Sequence, residues 1–203
     1  KVGMLPYAIV EWTQRLSVAL AEHRRWPDNP HIRAKCLLYA GLLSHYSADL
    51  CMPLHTTIHY NGRARADGSS PKTGIHTKVD ALIGKLGRSA KVKIAPAAVK
   101  PYPDLRAAVW AELMASHKLV DKVYGLEKQL PELTAELPAD GPVAEFTRER
   151  HRAAALFTAR LLATAWADSA EVEIPDWHRR PVGGRTKAAK ADRTFVAAGE
   201  GAA

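Results

Sequence analysis

Apolar residues recur every three or four positions along most of this 203-residue chain, and this periodicity is its most constraining feature. The spacing places apolar side chains on one face of a helix, whereas no segment shows the alternation that is typical of a β-strand. The chain, with 47% hydrophobic residues, is also long enough to bury one sizeable core. The sequence therefore predicts an all-α fold, with a multi-helix single domain over residues 1–175 and a basic, flexible tail over residues 176–203.

Prolines and capping residues mark the ends of the predicted helices. Pro6 opens a first helix that ends near Trp26, and Asn29 with Pro30 begins a second helix that Pro53 ends. The remaining predicted helices cover about residues 75–90, 104–129 and 143–170. The apolar positions that we expect in the core from the helix over 104–129 are Trp110, Leu113, Met114, Leu119, Val123 and Tyr124.

Charge and cysteine content restrict the partners and the chemistry only in part. A net charge of +8 favours polyanionic partners such as nucleic acid or phospholipid headgroups. No segment approaches the roughly 18 to 20 apolar residues of a membrane-spanning helix. Cys36 and Cys51 are the only cysteines, which excludes a disulfide framework and a thiolate zinc cluster. Both fall on the second predicted helix, about 22 Å apart, so we expect no disulfide between them.

Histidine and aspartate concentrate between positions 45 and 80. His45 and Asp49 are four residues apart and therefore share one face of the second helix. His76 and Asp80 repeat this spacing at the start of the next predicted helix, after a glycine-rich loop, and His55 lies between the two pairs. Imidazole and carboxylate suit zinc, and two histidines with one aspartate leave a coordination position for water. These five residues are therefore candidate metal ligands.

The spacing alone is not specific to metal sites. His117 and Asp121 are also four residues apart, in the segment SHKLVD. Histidine and aspartate at helix ends often act as caps or as partners of the helix dipole, so a purely structural role for each pair stays open. His59, in the loop beside the cluster, is a candidate for substrate contact. The chain has no nucleophile elbow and no phosphate-binding glycine loop, which disfavours covalent serine chemistry.

Taken together, the segments HYSAD, MPLH and GIHTKVD resemble the zinc-dependent phospholipase C and single-strand-specific nuclease superfamily. The opening GMLPYAIVEWTQRL is similar to the helix that precedes this motif in bacterial members. The resemblance spans about Gly3 to Trp166 and is specific between His45 and Asp80. It implies an all-α protein that holds three zinc ions in a cleft and hydrolyses phosphodiesters.

The resemblance also implies roles for individual residues. His55, His76 and Asp80 match the ligands of one zinc ion, and His45 matches a ligand of a second. Asp49 matches the carboxylate that bridges the second and third ions and orients the attacking water, which makes it the expected catalytic residue. The remaining ligands of the family precede the motif. We therefore expect that this chain lacks the N-terminal part of its domain and contains one complete zinc site.

The expected function is phosphodiester hydrolysis by metal-activated water, with phospholipase C-like activity first and single-strand-specific nuclease activity as the alternative. Asp80 is typical of the nucleases, because the phospholipases usually have glutamate there. His45-Tyr46 and Gly74-Ile75-His76, in contrast, look more like the phospholipases. A second alternative is a non-catalytic basic phosphate-binding helical module that uses the tail with Arg63 and Arg65.

The resemblance also implies the setting in which the protein acts. Family members are usually exported, so an extracytoplasmic or secreted location is implied, although no signal peptide is visible in this chain. The implied substrates are phospholipid or nucleic-acid phosphodiesters, and contact with a membrane surface is a further implied interaction. The oligomeric state stays open.

Overall fold

A computed structural model of the protein describes residues 3–87 and 92–175. Within these residues the seven α-helices are α1 Leu5–Arg25, α2 Pro30–Leu50, α3 Ile75–Asp80, α4 Leu82–Leu86, α5 Leu105–His117, α6 Val120–Leu126 and α7 Pro142–Asp168. Short 3-10 helices cover Pro53–Thr56, Pro96–Ala98 and Glu127–Gln129. The described residues contain no β-strand, so the predicted all-α class is confirmed.

All of these helices belong to one compact unit, Lys1–Val172. A second unit, Glu173–Ala203, is described only over its first three residues. The predicted basic tail, residues 176–203, lies outside the described residues. None of the described helices is long and apolar enough to cross a membrane.

The predicted starts of the first two helices are confirmed, and their caps show why. Proline stands in the first turn of α1, where backbone N–H groups have no acceptor within the helix. The missing N–H of proline therefore costs no helical hydrogen bond. The Asn29 side chain accepts hydrogen bonds from the backbone N–H groups of His31 (3.0 Å) and Ile32 (3.4 Å) and so caps α2. Asp104 caps α5 in the same way through the N–H of Ala107, at 2.9 Å.

Two apolar clusters form the interior. The first, called the long-helix core, comprises Ile9, Leu16, Leu43, Leu50, Cys51, Val109, Phe157, Leu161 and Ala165. It lies where α1, α2, α5 and the second half of α7 pack together. The second, called the short-element core, comprises Leu54, Ile75, Val79, Leu82, Leu86, Val123, Leu130, Leu137, Val143, Ala144 and Phe146. It is built from the short helices, the 130–137 segment and the first half of α7.

Two predicted helices are shorter than expected. The helix predicted over 75–90 is two helices, α3 and α4, joined at Ala81, and residues 88–91 lie outside the described part. The helix predicted over 104–129 is broken after His117, where the N–H of Leu119 bonds the carbonyl of Ser116 at 3.0 Å. The chain changes direction at this break, so that Val109 before it belongs to the long-helix core and Val123 after it belongs to the short-element core.

The break also changes which side chains of this segment are buried. Val109 and Val123 are 0% and 1% exposed, whereas Trp110 and Met114 are 41% and 48% exposed, so the prediction that these two lie in the core is wrong. On α5 the core face is taken by Val109 and the half-buried Leu113, which turns the two larger side chains outward. The Trp110 ring instead contacts the ring of Tyr7 edge-on, with centroids 5.7 Å apart.

Candidate metal centre

The end of α2 carries the first two candidate ligands and leads directly to the third. His45 and Asp49 lie on its last turns, and the helix ends at Leu50. The 3-10 helix that starts at Pro53 then carries His55, whose N–H bonds the carbonyl of Met52 at 3.0 Å. Proline at position 53 cannot supply the N–H that would continue α2, so the chain turns here. The turn brings the His55 ring back toward Asp49.

A closed loop brings the remaining pair to the same place. The Asn61 side chain accepts the N–H of Gly74 at 2.7 Å, and its backbone carbonyl accepts the N–H of Thr73 at 3.2 Å. Gly62 has φ +95°, and a Cβ atom there would contact Pro71 and lie 2.8 Å from Cγ2 of Thr73. The two ends of the loop are therefore in close contact, and α3 begins next to His55.

The candidate ligands form one continuous series of contacts. His45 Nε2 lies 3.5 Å from Asp49 Oδ2, which is 4.0 Å from His55 Nδ1. On its other side, His55 Nε2 lies 3.3 Å from Asp80 Oδ1, and Asp80 Oδ2 lies 3.1 Å from His76 Nε2. The structure thus brings together all five residues that the sequence singles out. His45 is the most peripheral of them, with a side chain that is 68% exposed.

One ring nitrogen of His76 faces a backbone carbonyl. Its Nδ1 lies 3.3 Å from the carbonyl oxygen of Tyr60, which can only accept a hydrogen bond. A hydrogen bond here requires the proton on Nδ1, and Nε2, the nitrogen on the Asp80 side, is then the one available to a metal ion. This is the usual arrangement of a metal-binding histidine, whose second nitrogen donates to a carbonyl or a carboxylate.

His55 lies between two carboxylates, and this position affects its proton affinity. The hydrogen bond with Asp80 raises the pKa of His55 and Asp49 adds to this, whereas burial acts in the opposite direction. The rings of His55 and His76 are 4.7 Å apart between centroids. The cluster is therefore an electronegative site with two imidazoles, which favours a bound cation.

Three of the residues fit a single zinc ion. One ligand atom each from His55, His76 and Asp80 lie within 4.8 Å of one another. Ligand atoms about 2.0–2.1 Å from a tetrahedral zinc ion are roughly 3.3 Å apart, close to the two histidine–carboxylate separations in this cluster. The two histidines are about one quarter exposed, so the site is open to solvent on one side. Such a donor set can hold a metal ion with a position left for water or substrate.

Several neighbouring residues that the sequence did not assign to the site support it. His117 bonds the backbone carbonyl of Thr56, and the Tyr60 carbonyl orients His76. His59, the candidate for substrate contact, also holds the loop, because its Nδ1 accepts the N–H of Ala64 at 2.9 Å. Contacts to backbone carbonyls leave no periodic signal in a sequence, which explains why the pattern did not reveal them.

Comparison of the chain with protein-family models, with curated proteins and with solved structures gave no match.

Proposed function

We propose that the protein is a zinc-dependent phosphodiester hydrolase of the phospholipase C type. The observation that carries the proposal is the cluster of His55, His76 and Asp80 within 4.8 Å, with Asp49 at 4.0 Å from His55. These residues have the ligand types, the spacing and the solvent access of a hydrolytic zinc site. The resemblance of the same segments to the zinc-dependent phospholipases and nucleases points to a phosphodiester as the bond that is cleaved.

In this proposal His55, His76 and Asp80 hold one zinc ion. His45 and Asp49 contribute to further zinc sites, up to three in a complete domain. When bound, zinc supplies Lewis-acid polarisation of the phosphoryl oxygen and a water nucleophile that is active near neutral pH. The hydrogen bond from His76 to the Tyr60 carbonyl keeps the Nε2 lone pair free for this ligation.

Asp49 is the residue that we assign to proton transfer. Its side chain is 27% exposed and lies between His45 and His55, so water can reach the carboxylate. From this position the carboxylate accepts a hydrogen bond from the attacking water, orients it and takes its proton. Phosphodiester cleavage then consumes one water molecule and releases an alcohol and a phosphomonoester.

A cavity beside the cluster supports a phospholipid as the preferred substrate. It has a volume of about 520 Å³ and includes His55 in its wall. The apolar residues that line it are Leu5, Pro6, Ile58, Leu113 and Met114. Apolar walls next to a metal-binding histidine suit a substrate that joins a hydrocarbon part to a phosphodiester.

Single-strand-specific nuclease activity is the second candidate, and Tyr60 is the observation that favours it. The ring is 42% exposed and meets the His76 ring edge-on, with centroids 5.9 Å apart. An exposed aromatic ring beside the metal centre provides a stacking surface for an unpaired base. In contrast, Arg63 of the basic-module alternative is ion-paired with Asp121 at 2.6 Å, which leaves less of its charge for a phosphate.

Zinc titration of the full chain, followed by parallel assays on phosphatidylcholine and single-stranded DNA, tests the proposal. We expect zinc-dependent turnover, and we expect His76→Ala and Asp80→Asn to lower zinc affinity by more than about 100-fold. His31→Ala, which changes an exposed histidine at the start of α2, is the matched control and should leave zinc affinity unchanged.

Three outcomes contradict the proposal. A chain that binds no zinc rejects it, and so does a zinc-loaded chain that hydrolyses neither substrate. Binding to DNA or to anionic lipid that is insensitive to chelator and falls steeply with salt supports the non-catalytic basic module instead.

A further inference from the structure

The end of α5 and the start of α6, residues 117–124, are called the α5–α6 corner, and they contact the segment that follows His55. His117 is the last residue of α5, and its Nδ1 lies 2.9 Å from the carbonyl oxygen of Thr56, 61 residues away in sequence. A carbonyl only accepts hydrogen bonds, so Nδ1 of His117 carries the proton and donates it. Thr56 directly follows His55, so this bond holds the backbone next to a candidate metal ligand.

Two further residues of the same corner contact the chain after Thr56, at His59 and Arg63. The Tyr124 hydroxyl on α6 donates to the carbonyl of His59 at 2.6 Å. Asp121 accepts a hydrogen bond from Arg63 at 2.6 Å, and the Arg63 guanidinium lies 4.0 Å from the centre of the Tyr124 ring. The His117 and Asp121 pair, which has the same spacing as the candidate ligand pairs, thus contacts the loop and not the cluster.

The element that carries His55 has little rigidity of its own. It is a 3-10 helix of four residues. Two hydrogen bonds hold it: the N–H of His55 donates to the carbonyl of Met52, and the hydroxyl of Thr56 donates to the carbonyl of Pro53 at 2.7 Å. One turn of helix is marginal in isolation, so outside contacts must hold its geometry. His117 supplies such a contact at the C-terminal end of the turn.

We propose that the α5–α6 corner positions His55 for metal binding, with His117 as the main positioning residue and Tyr124 as the second. The inference rests on the proposed zinc site. It gives two side chains that are not metal ligands a role in supporting that site. His117 also lines the same cavity as His55, so it lies at the edge of the site. Its side chain is exposed, so its removal disturbs little packing and acts mainly through the Thr56 carbonyl.

Zinc and cobalt titrations of the 203-residue chain test this inference. We expect His117→Ala to weaken zinc binding by about 10-fold or more, the effect that is typical of losing an outer-shell partner. We expect His117→Asn to recover most of the affinity, because an asparagine amide places a donor near the position of Nδ1. The visible absorption of bound cobalt, which reports ligand geometry, should change in His117→Ala and return in His117→Asn.

Tyr124→Phe and His31→Ala complete the series. Tyr124→Phe removes one hydroxyl and keeps the ring, and we expect a loss of about threefold, smaller than for His117 because His59 is further along the chain from His55 than Thr56 is. His31→Ala removes an exposed histidine from the other end of α2 and should not change affinity. Thermal unfolding of each variant without metal shows that the fold is retained, which separates positioning from destabilisation.

The results that overturn the inference are distinct from those that reject the zinc site. If the wild-type chain binds zinc and His117→Ala binds it equally well, the corner does not position His55, while the proposed function stands. A loss that His117→Asn does not recover overturns it as well, because the hydrogen bond is then not the cause. Absence of zinc binding by the wild-type chain rejects both proposals together.

Discussion

The long-helix core and the short-element core hold their parts of the chain in different ways. Helices α1, α2 and α7 span 21 to 27 residues each, so most of their backbone groups are bonded within the helix and packing depends on apolar faces. Around the short-element core the helices span five to seven residues, and side chains satisfy many backbone carbonyls. Lys85, for example, donates to the carbonyls of Glu132, Leu133 and Ala135.

The candidate metal centre lies where the two regions meet. Leu50, which belongs to the long-helix core, precedes Leu54 of the short-element core by four residues. His45 and Asp49 lie on the long helix α2 before this junction, and His55 lies on the short 3-10 helix after it. We infer that the long helices determine stability, whereas the short elements determine ligand geometry. Substitutions in the two regions therefore separate these two effects.

The largest effect on stability is expected from a cavity in the long-helix core. Leu161 is 0% exposed, and Leu161→Ala should lower the free energy of unfolding by about 4 kcal/mol. Since Leu161 lies on α7, which carries none of the five candidate ligands, zinc affinity of the folded variant should match that of the wild type. Urea unfolding and zinc titration measure the two quantities, and a large loss of zinc affinity would show that the regions are not separable.

An intermediate effect on stability, with a large effect on the metal centre, is expected at Gly62. Alanine there combines the unfavourable φ of +95° with contacts to Pro71 and Thr73, and we expect a loss of about 3 kcal/mol. Zinc affinity should fall as well, because the loop end that holds α3 shifts.

Gly68→Ala is the matched control for this substitution. Gly68 has φ +81° in the same loop, but a Cβ atom there meets nothing within 4 Å. Its cost should be about 1 kcal/mol, from the backbone conformation alone, with unchanged zinc affinity. Equal effects of the two substitutions on zinc binding would contradict the role of the Gly62 contacts.

The smallest effect is expected at the ion pair between α6 and α7. The hydrogen bond with Lys122 lowers the pKa of Glu149, and Arg150 adds to this. A lowered pKa means that the pair stabilises the fold above the unfolded-state pKa of about 4.3 and that this contribution is lost as the pH falls. Because Glu149 is half exposed, Glu149→Gln should cost less than about 0.5 kcal/mol at pH 7.

Thermal unfolding at pH 7 and pH 3 checks this prediction. The difference between the wild type and Glu149→Gln should be present at pH 7 and smaller at pH 3, because pH 3 lies below the unfolded-state pKa and the contribution decreases from there. A difference of equal size at both pH values would assign the effect to packing of the side chain and not to its charge.

The regular helices were predictable because their signals are local. Pro6 in the first turn, the Asn29 cap and the apolar spacing each act within one helix. The predicted last helix, over 143–170, agrees with α7 to within two residues at each end. The proximity of His45 to Asp49 and of His76 to Asp80 was predictable for a related reason, since His-x-x-x-Asp spacing places two side chains on one helix face. His55 belongs to neither pair, and its contacts with Asp49 and Asp80 depend on the turn at Pro53 and on the loop that follows.

The all-α class, the long helices and the residue types of a candidate zinc site follow from the amino-acid sequence, because propensity, capping and periodicity act over a few positions. The break after His117 became visible only in the folded chain, since it lies between residues that belong to two different cores. The same holds for the contacts of His117 and Asp121 with the 56–63 segment, across 61 and 58 residues. Such contacts follow from how the helices pack, and spacing along the chain does not encode them.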